Sequence, residues 1–345
     1  MQERGIKSMT IVYAIIMFCL LIFVHEFGHF ITAKAVGIKV NEFALGMGPA
    51  VFKRQRGETL YSLRIFPIGG YCAMEGEDDD SDDARAFNNK SPVAKILVVV
   101  AGSAMNVILA VLVFTIILLY TGIPTATVGQ VTDGSPAYEA GLISGDEIVA
   151  IEGKTIEEWQ DILNIVGEST ADTLVIEIKR NGQEMEIQTG VMIAEDGRRV
   201  IGVTSGLSRN PFSAVVYGAK STWLMAVNML DVIGQLFTGG VSVNELTGPV
   251  GIVYAVGDTA KYGFQYLGYL TALISLNLAI VNMLPIPALD GGRLIFIIIR
   301  LFTGNRISDT AEAKIHFVGI MLLFALMIYV TWNDIVRLIV PIFRG

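Results

Sequence analysis

The most concentrated chemistry in the chain lies in five consecutive residues, His25-Glu26-Phe27-Gly28-His29. Side chains four positions apart on a helix share a face, so both imidazoles can bind one metal ion with Glu26 close beside them. This H-E-x-x-H spacing suits metal-assisted hydrolysis, in which a bound metal activates water and the carboxylate takes its proton. The motif sits in an apolar run, about Met9 to Val36, long enough to cross a bilayer with some tilt. Titratable side chains are costly among lipid tails. Three within five residues therefore point to a functional site rather than to chance polar residues at a helix end.

A catalytic zinc takes three protein ligands and keeps a fourth position for water. Cys19 and Cys72 are the only cysteines, so a disulfide framework and a Cys-rich metal site are both unavailable and the ligands must be histidine and carboxylate. Asp290 is the best-placed carboxylate. It belongs to Asn282-Met283-Leu284-Pro285-Ile286-Pro287-Ala288-Leu289-Asp290-Gly291-Gly292-Arg293, whose prolines break an apolar helix. Irregular backbone at membrane depth is tolerated where it lines a cavity. The alternative role for Asp290 is that of a turn or helix-terminus residue. Glu26 is the candidate catalytic general base and acid. Asn282, Pro285 and Pro287 are candidate substrate-binding residues. Asn282 can hydrogen-bond a substrate backbone or developing oxyanion, or equally satisfy carbonyls freed by the break. His316, at the edge of the last apolar run, reads as an interfacial residue and not as a ligand.

The elements that must position these groups follow from composition and patterning. With 345 residues, 52% of them hydrophobic, and a mean hydropathy of +0.57, the chain is far more apolar than a soluble globular protein, yet it carries long polar stretches. A net charge of −8 offers no basic stripe for phosphates, which excludes nucleic acid as a partner. Further apolar runs at about Val93 to Tyr120, Tyr266 to Leu284 and His316 to Trp332 bring the expected spans to about four. Arg4 and Lys7 ahead of the first run resemble the start of a signal peptide, but the embedded histidines and the lack of a small-residue cleavage site argue against removal. Between the first two spans, Val51-Phe52-Lys53 and Leu60 to Ile65 read as strands of a hairpin. The acidic run Glu75 to Asp83 lacks the spacing of a calcium loop and reads as solvated. The segment from Asn210 to about Phe237 has the look of an amphipathic interfacial helix.

Residues 125 to 204 have a different composition, with strands, charged turns and no spanning run. Ser135-Pro136 starts a short helix, Thr155 and Glu158 suggest a capping box for a second, and Asn181-Gly182 marks a tight hairpin. The order of Ser135-Pro136-Ala137 and Gly145-Asp146-Glu147-Ile148 resembles a circularly permuted PDZ domain of bacterial proteases. Such a domain implies a peptide ligand added to a sheet edge, and a spacer that only limits access is the alternative. The expected organisation is an N-terminal membrane region at 1–124, a PDZ-like domain at 125–204 and a C-terminal membrane region at 205–345.

Lys and Arg recur between spans one and two (Lys39, Lys53, Arg54, Arg56, Arg64, Arg85, Lys90) and between spans three and four (Arg293, Arg300, Arg306, Lys314). The positive-inside rule puts both regions on the cytoplasmic side and the PDZ-like domain and the termini outside. Spans one and three then run in the same direction, so His25 and Asp290 can reach similar depth, with the active site near the cytoplasmic side.

Across nearly its whole length the chain resembles the site-2 protease family, and within it the bacterial regulator-of-sigma-E protease type with one PDZ domain. The likeness rests on His25-Glu26-Phe27-Gly28-His29, Lys90-Ser91-Pro92 with Ala101-Gly102 and Asn106, Leu246-Thr247-Gly248-Pro249, and Asn282 to Gly292. Ser103 departs from it, standing where proline is common. The resemblance implies a zinc-dependent intramembrane endopeptidase of the bacterial inner membrane. Its substrates would be single-pass proteins such as anti-sigma factors or remnant signal peptides, met within the lipid bilayer. It also implies that the stretch Val40 to Tyr71 offers a strand edge to an unwound substrate. The expected fold class is a polytopic α-helical membrane protein with about four transmembrane helices, a membrane-associated β-hairpin region and an inserted α+β PDZ domain. A non-catalytic adaptor braced by zinc, binding exported protein tails, and a metal transporter are the competing readings.

Overall fold

The computed structural model describes residues 2–77, 81–304 and 309–339. Part of the acidic run, Asp78 to Asp80, and Arg306 between spans three and four lie outside the described residues. The chain divides into two compact units, one formed by the part up to Phe114 together with the part from Gly218 onward, the other by Thr115–Tyr217.

In the first unit, α1 (Gln2–Ala35) and α2 (Pro92–Thr121) flank a β-hairpin made of β1 (Val40–Arg56) and β2 (Thr59–Met74). Among the described residues, four helical stretches are long and apolar enough to cross a membrane: Met9–Ala35, Pro92–Thr121, Phe264–Asn282 and Ala311–Leu338. α1 and α2 come into close contact because two glycines remove side chains from their interface. A Cβ on Gly28 would collide with the Ala101 carbonyl, and one on Gly102 with the His29 imidazole.

The hairpin is longer than the short alternating runs suggested, because both strands fold back across themselves. Phe52 to Arg56 pair with Thr59 to Leu63, while Glu42 to Leu45 pair both with Leu60 to Leu63 and with Gly70 to Ala73. The result is one sheet of four paired segments, and no further strand pairs with the outer side of Gly70 to Ala73 among the described residues. Phe43, Val40 and Cys72 pack with Ala33 of α1 and Val98 of α2, burying the hairpin's apolar face against both helices.

The second unit comprises β3 (Ile123–Val131), α3 (Pro136–Glu139), β4 (Glu147–Ile151), β5 (Lys154–Thr155), α4 (Trp159–Glu168), β6 (Thr173–Arg180), β7 (Gln183–Gly190), β8 (Met192–Ile193), β9 (Arg199–Val200) and β10 (Val203–Ser208). Its main sheet runs in the order β10-β3-β4-β6-β7. The alternation of Leu174, Ile176 and Ile178 sends one face of β6 inward, where it meets Ile148, Ile151, Ile162 and Val166. Ser135 caps α3 by accepting the Tyr138 amide, as its position before proline suggests. The capping box of α4 is displaced by three residues from the expected pair. Glu158 itself is the N-cap and Asp161 its reciprocal partner, because the chain stays extended through Thr155 in β5. Asn181 and Gly182 both adopt positive φ, 52° and 83°, as a tight turn matched to strand twist requires.

The chain then returns through α5 (Pro211–Thr238), α6 (Pro249–Thr259), α7 (Phe264–Asn282), α8 (Asp290–Thr303) and α9 (Asp309–Asp334). α6 begins at the Leu246-Thr247-Gly248-Pro249 turn, and Gly248 gives its N-terminus no side-chain acceptor. The buried Asp334 of α9 supplies one instead, Oδ2 accepting the Gly251 amide at 2.8 Å. α9 starts several residues earlier than the hydropathy pattern indicated, so His316 lies within it and its side chain is only 16% exposed. His316 therefore does not stand at a helix edge: its Nδ1 accepts the Ala288 amide in the broken segment before α8.

Candidate active site and metal centre

The helical spacing of α1 brings the two imidazoles of the motif together, with His25 Nε2 3.2 Å from His29 Nε2. Asp290, the first residue of α8, directs Oδ2 at both, 3.3 Å from His25 Nε2 and 3.4 Å from His29 Nε2. Both histidines are buried, at 7% and 9% exposure, and Asp290 is half-buried. Ligand atoms about 2.05 Å from a tetrahedral ion stand about 3.3 Å apart, so this triangle has the edge length of a zinc site. Asp290 Oδ2 is buried and, among the described residues, accepts no hydrogen bond. A buried acceptor left that way costs free energy unless a cation or donor completes it. The space facing the histidines is also kept clear, since any side chain at residue 102 would fall on His29 Nε2 and His25 Cε1. Donor set, spacing and clearance all fit a divalent ion held by His25, His29 and Asp290.

The outer contacts orient the rings. His29 Nδ1 lies 2.8 Å from the Val98 carbonyl, so Nδ1 carries the proton it donates there and the Nε2 lone pair is left for a metal. His25 Nδ1 faces the side-chain amide of Asn106 at 3.4 Å, and the Asn106 Oδ1 is otherwise buried without a partner. Turning that amide by half a rotation lets Oδ1 accept the His25 Nδ1 proton, which leaves the Nε2 lone pair for a metal. Asn106 is fully buried, and its main-chain carbonyl accepts the Ser275 hydroxyl at 2.8 Å, which ties α2 to α7 at this level. In the sequence Asn106 stands only among the residues that carry the family likeness. Only the fold turns it toward a histidine.

The substrate-side candidates separate in the structure. Asn282, the last residue of α7, brings Nδ2 to 3.2 Å from His25 Nε2, at the edge of the ligand triangle. Pro285 and Pro287 lie in the connection that carries the chain from α7 back to Asp290. Pro287 packs against α9, where a Cβ on Gly319 would strike its carbonyl, and no hydrogen bond brings either proline to the histidines among the described residues. Glu26 is half-buried on α1 and faces the hairpin. Its Cγ lies 3.2 Å from where a Cβ on Gly70 would stand, and Gly70 begins the strand segment with the open outer edge. Arg293, one turn into α8, pairs with Glu77 just after β2, joining the hairpin's far end to the helix that begins at Asp290.

A carboxylate beside a two-histidine, one-aspartate metal position and an open strand edge can activate water against a peptide carbonyl. Comparison with known proteins covers nearly the whole chain. The family model described as Peptidase family M50 matches residues 13–326. A chain of Clostridium acetobutylicum named for zinc metalloprotease activity is 37% identical over 330 residues, covering 95% of this chain and 97% of its own. The regulator of sigma-W protease RasP of Bacillus subtilis is 31% identical over 416 aligned residues, covering 95% of this chain and 99% of its own. Among solved structures, the PDZ domain of an SdrC-like protein of Listeria monocytogenes matches at 25% identity with a TM-score of 0.22, covering 24% of this chain and 87% of that one.

Proposed function

The chain belongs to peptidase family M50 and is a zinc metalloprotease, and from that premise we propose that it cleaves peptide bonds within the transmembrane segments of single-pass proteins. Anti-sigma factors and remnant signal peptides are the substrate classes. The observation that carries this reading is the ligand triangle of His25, His29 and Asp290 beside Glu26, with His25, Glu26 and His29 on a helix apolar enough to cross a bilayer. Zinc held by those three groups supplies a Lewis acid and lowers the pKa of a nearby water. Glu26 accepts the proton of the attacking water and returns it to the leaving amine. Asn282 donates to the substrate carbonyl as negative charge develops on its oxygen.

A transmembrane helix hides its peptide bonds in i to i−4 hydrogen bonds, so cleavage needs local unwinding and replacement partners. The open edge at Gly70 to Ala73, next to Glu26, offers those partners to an extended substrate. Pro285 and Pro287 keep the backbone before Asp290 out of helix, and through it shape the substrate's side of the site. In this proposal the protein lies in the bacterial inner membrane with regions 1–124 and 205–345 embedded. The PDZ-like region 125–204 is on the outer side, where it binds or screens exported tails, and the site opens toward the cytoplasm.

Comparative membrane proteomics of wild-type and Glu26→Gln cells tests the reading. Transmembrane stubs should accumulate only in the variant, and equal stub levels in both strains would overturn it.

A further inference from the structure

Ala288 adopts a φ of +82°, a left-handed conformation that a residue with a Cβ rarely holds unless its surroundings impose it. It stands two residues before Asp290, inside the connection that sets where α8 begins. The imposing group comes from another helix. His316 of α9 accepts the Ala288 amide on Nδ1 at 2.8 Å, so its proton is on Nε2. That side of the ring faces Glu312 at 3.7 Å, and Glu312 is in turn held by Arg300 near the end of α8, at 2.6 Å. The ring lies against the buried Phe296, with centroids 5.5 Å apart. One turn beyond His316, Gly319 lets α9 reach the Pro287 carbonyl. α9 thus clamps the connection at two consecutive positions, and one of them fixes the strained residue.

We propose that His316 is a positioning residue for Asp290: by holding the Ala288 amide it keeps the Pro287-Ala288-Leu289 turn in the one conformation that directs Asp290 Oδ2 at His25 and His29. The inference rests on the reading of Asp290 as a zinc ligand, so its test measures zinc as well as cleavage. Without the clamp the connection relaxes toward ordinary φ, the carboxylate loses its register, and metal affinity falls although no ligand has been removed.

Zinc affinity by chelator competition on the detergent-solubilised full chain, together with kcat and KM on a single-pass substrate, provides the readout. His316→Phe should lower zinc affinity about tenfold and lower kcat with KM unchanged. His316→Asn, which keeps an acceptor near the Nδ1 position, should recover most of that loss. Ala288→Gly, which abolishes the cost of positive φ, should bring the His316→Phe background back to within about threefold of wild type. Wild-type affinity in His316→Phe, or no recovery on adding Ala288→Gly, would overturn the proposal. If His316→Phe fails to fold, Glu312→Gln should give a smaller loss of the same sign, and no loss there overturns it equally. Asp290→Ala separates the two readings. Unchanged affinity in that variant removes the ligand assignment and this inference with it, while loss there with none in His316→Phe removes the inference alone.

Discussion

Asp290 Oδ2 and His25 Nε2 stand 3.3 Å apart, although one belongs to the first helix and the other to the helix that follows the broken segment near the chain's end. Holding the metal, the role of Asp290, and moving the proton, the role of Glu26, are roles that substitution can tell apart. Asp290→Ala should strip zinc and activity together, because two histidines alone leave the tetrahedral set short of a ligand. Glu26→Gln should keep zinc near one per chain and lower the cleavage rate by about 10²- to 10⁴-fold, since it removes the proton acceptor and keeps the ligands. Metal analysis of the two purified variants beside a cleavage assay checks both.

Asn106 touches neither metal position nor substrate, yet its amide is the partner of His25 Nδ1. Asn106→Leu leaves that proton without an acceptor in a buried site. The expected result is a fall of about 10- to 100-fold in zinc affinity, measured by chelator competition, with the helices still folded by circular dichroism.

Gly102 is a test of clearance. Even the single methyl of Gly102→Ala would fall on the imidazole of His29, and the adjacent backbone of α2 cannot yield without disturbing the contact at Gly28. The variant should lose metal and activity. Gly234→Ala, on α5 in open space, should change neither.

The second unit carries a pH dependence of its own. Burial raises the Asp146 carboxyl, but the hydrogen bonds from Arg180 and the Ile143 amide outweigh it and hold the group below the ordinary aspartate range. A carboxyl depressed in the folded state stabilises fully above its unfolded pKa, and that stability is lost as pH falls through the folded value. Protection of the β4 and β6 amides against hydrogen exchange should therefore decline below about pH 4. Asp146→Asn should already be less protected at neutral pH, by about 1.5–3 kcal/mol, and should show a flatter decline.

Motif, spacing and hydropathy made much of this legible in advance. His25 and His29 lie on one helical face by periodicity alone, and Asp290 followed from the need for a third ligand in an apolar, proline-broken stretch. Other features carry no such signal. The double pairing of Glu42 to Leu45 is a long-range register that alternation cannot express, so the hairpin read as two short strands. The contacts of Asn106 and His316 could not be read in the sequence because their partners, His25 and Ala288, lie far away in it.

What the sequence by itself determined is the set of local events: helical spacing puts two imidazoles and a carboxylate together, prolines end a helix before Asp290, and Asn181-Gly182 turns a hairpin. The tertiary structure alone decided which distant groups meet. Oδ2 of Asp290 reaches the histidines, Gly102 clears the space beside them, the open strand edge comes to Glu26, and α9 holds the strained Ala288. Local propensity acts over a few residues of chain, whereas a metal site is closed by packing between helices whose contacts depend on every element that lies between them.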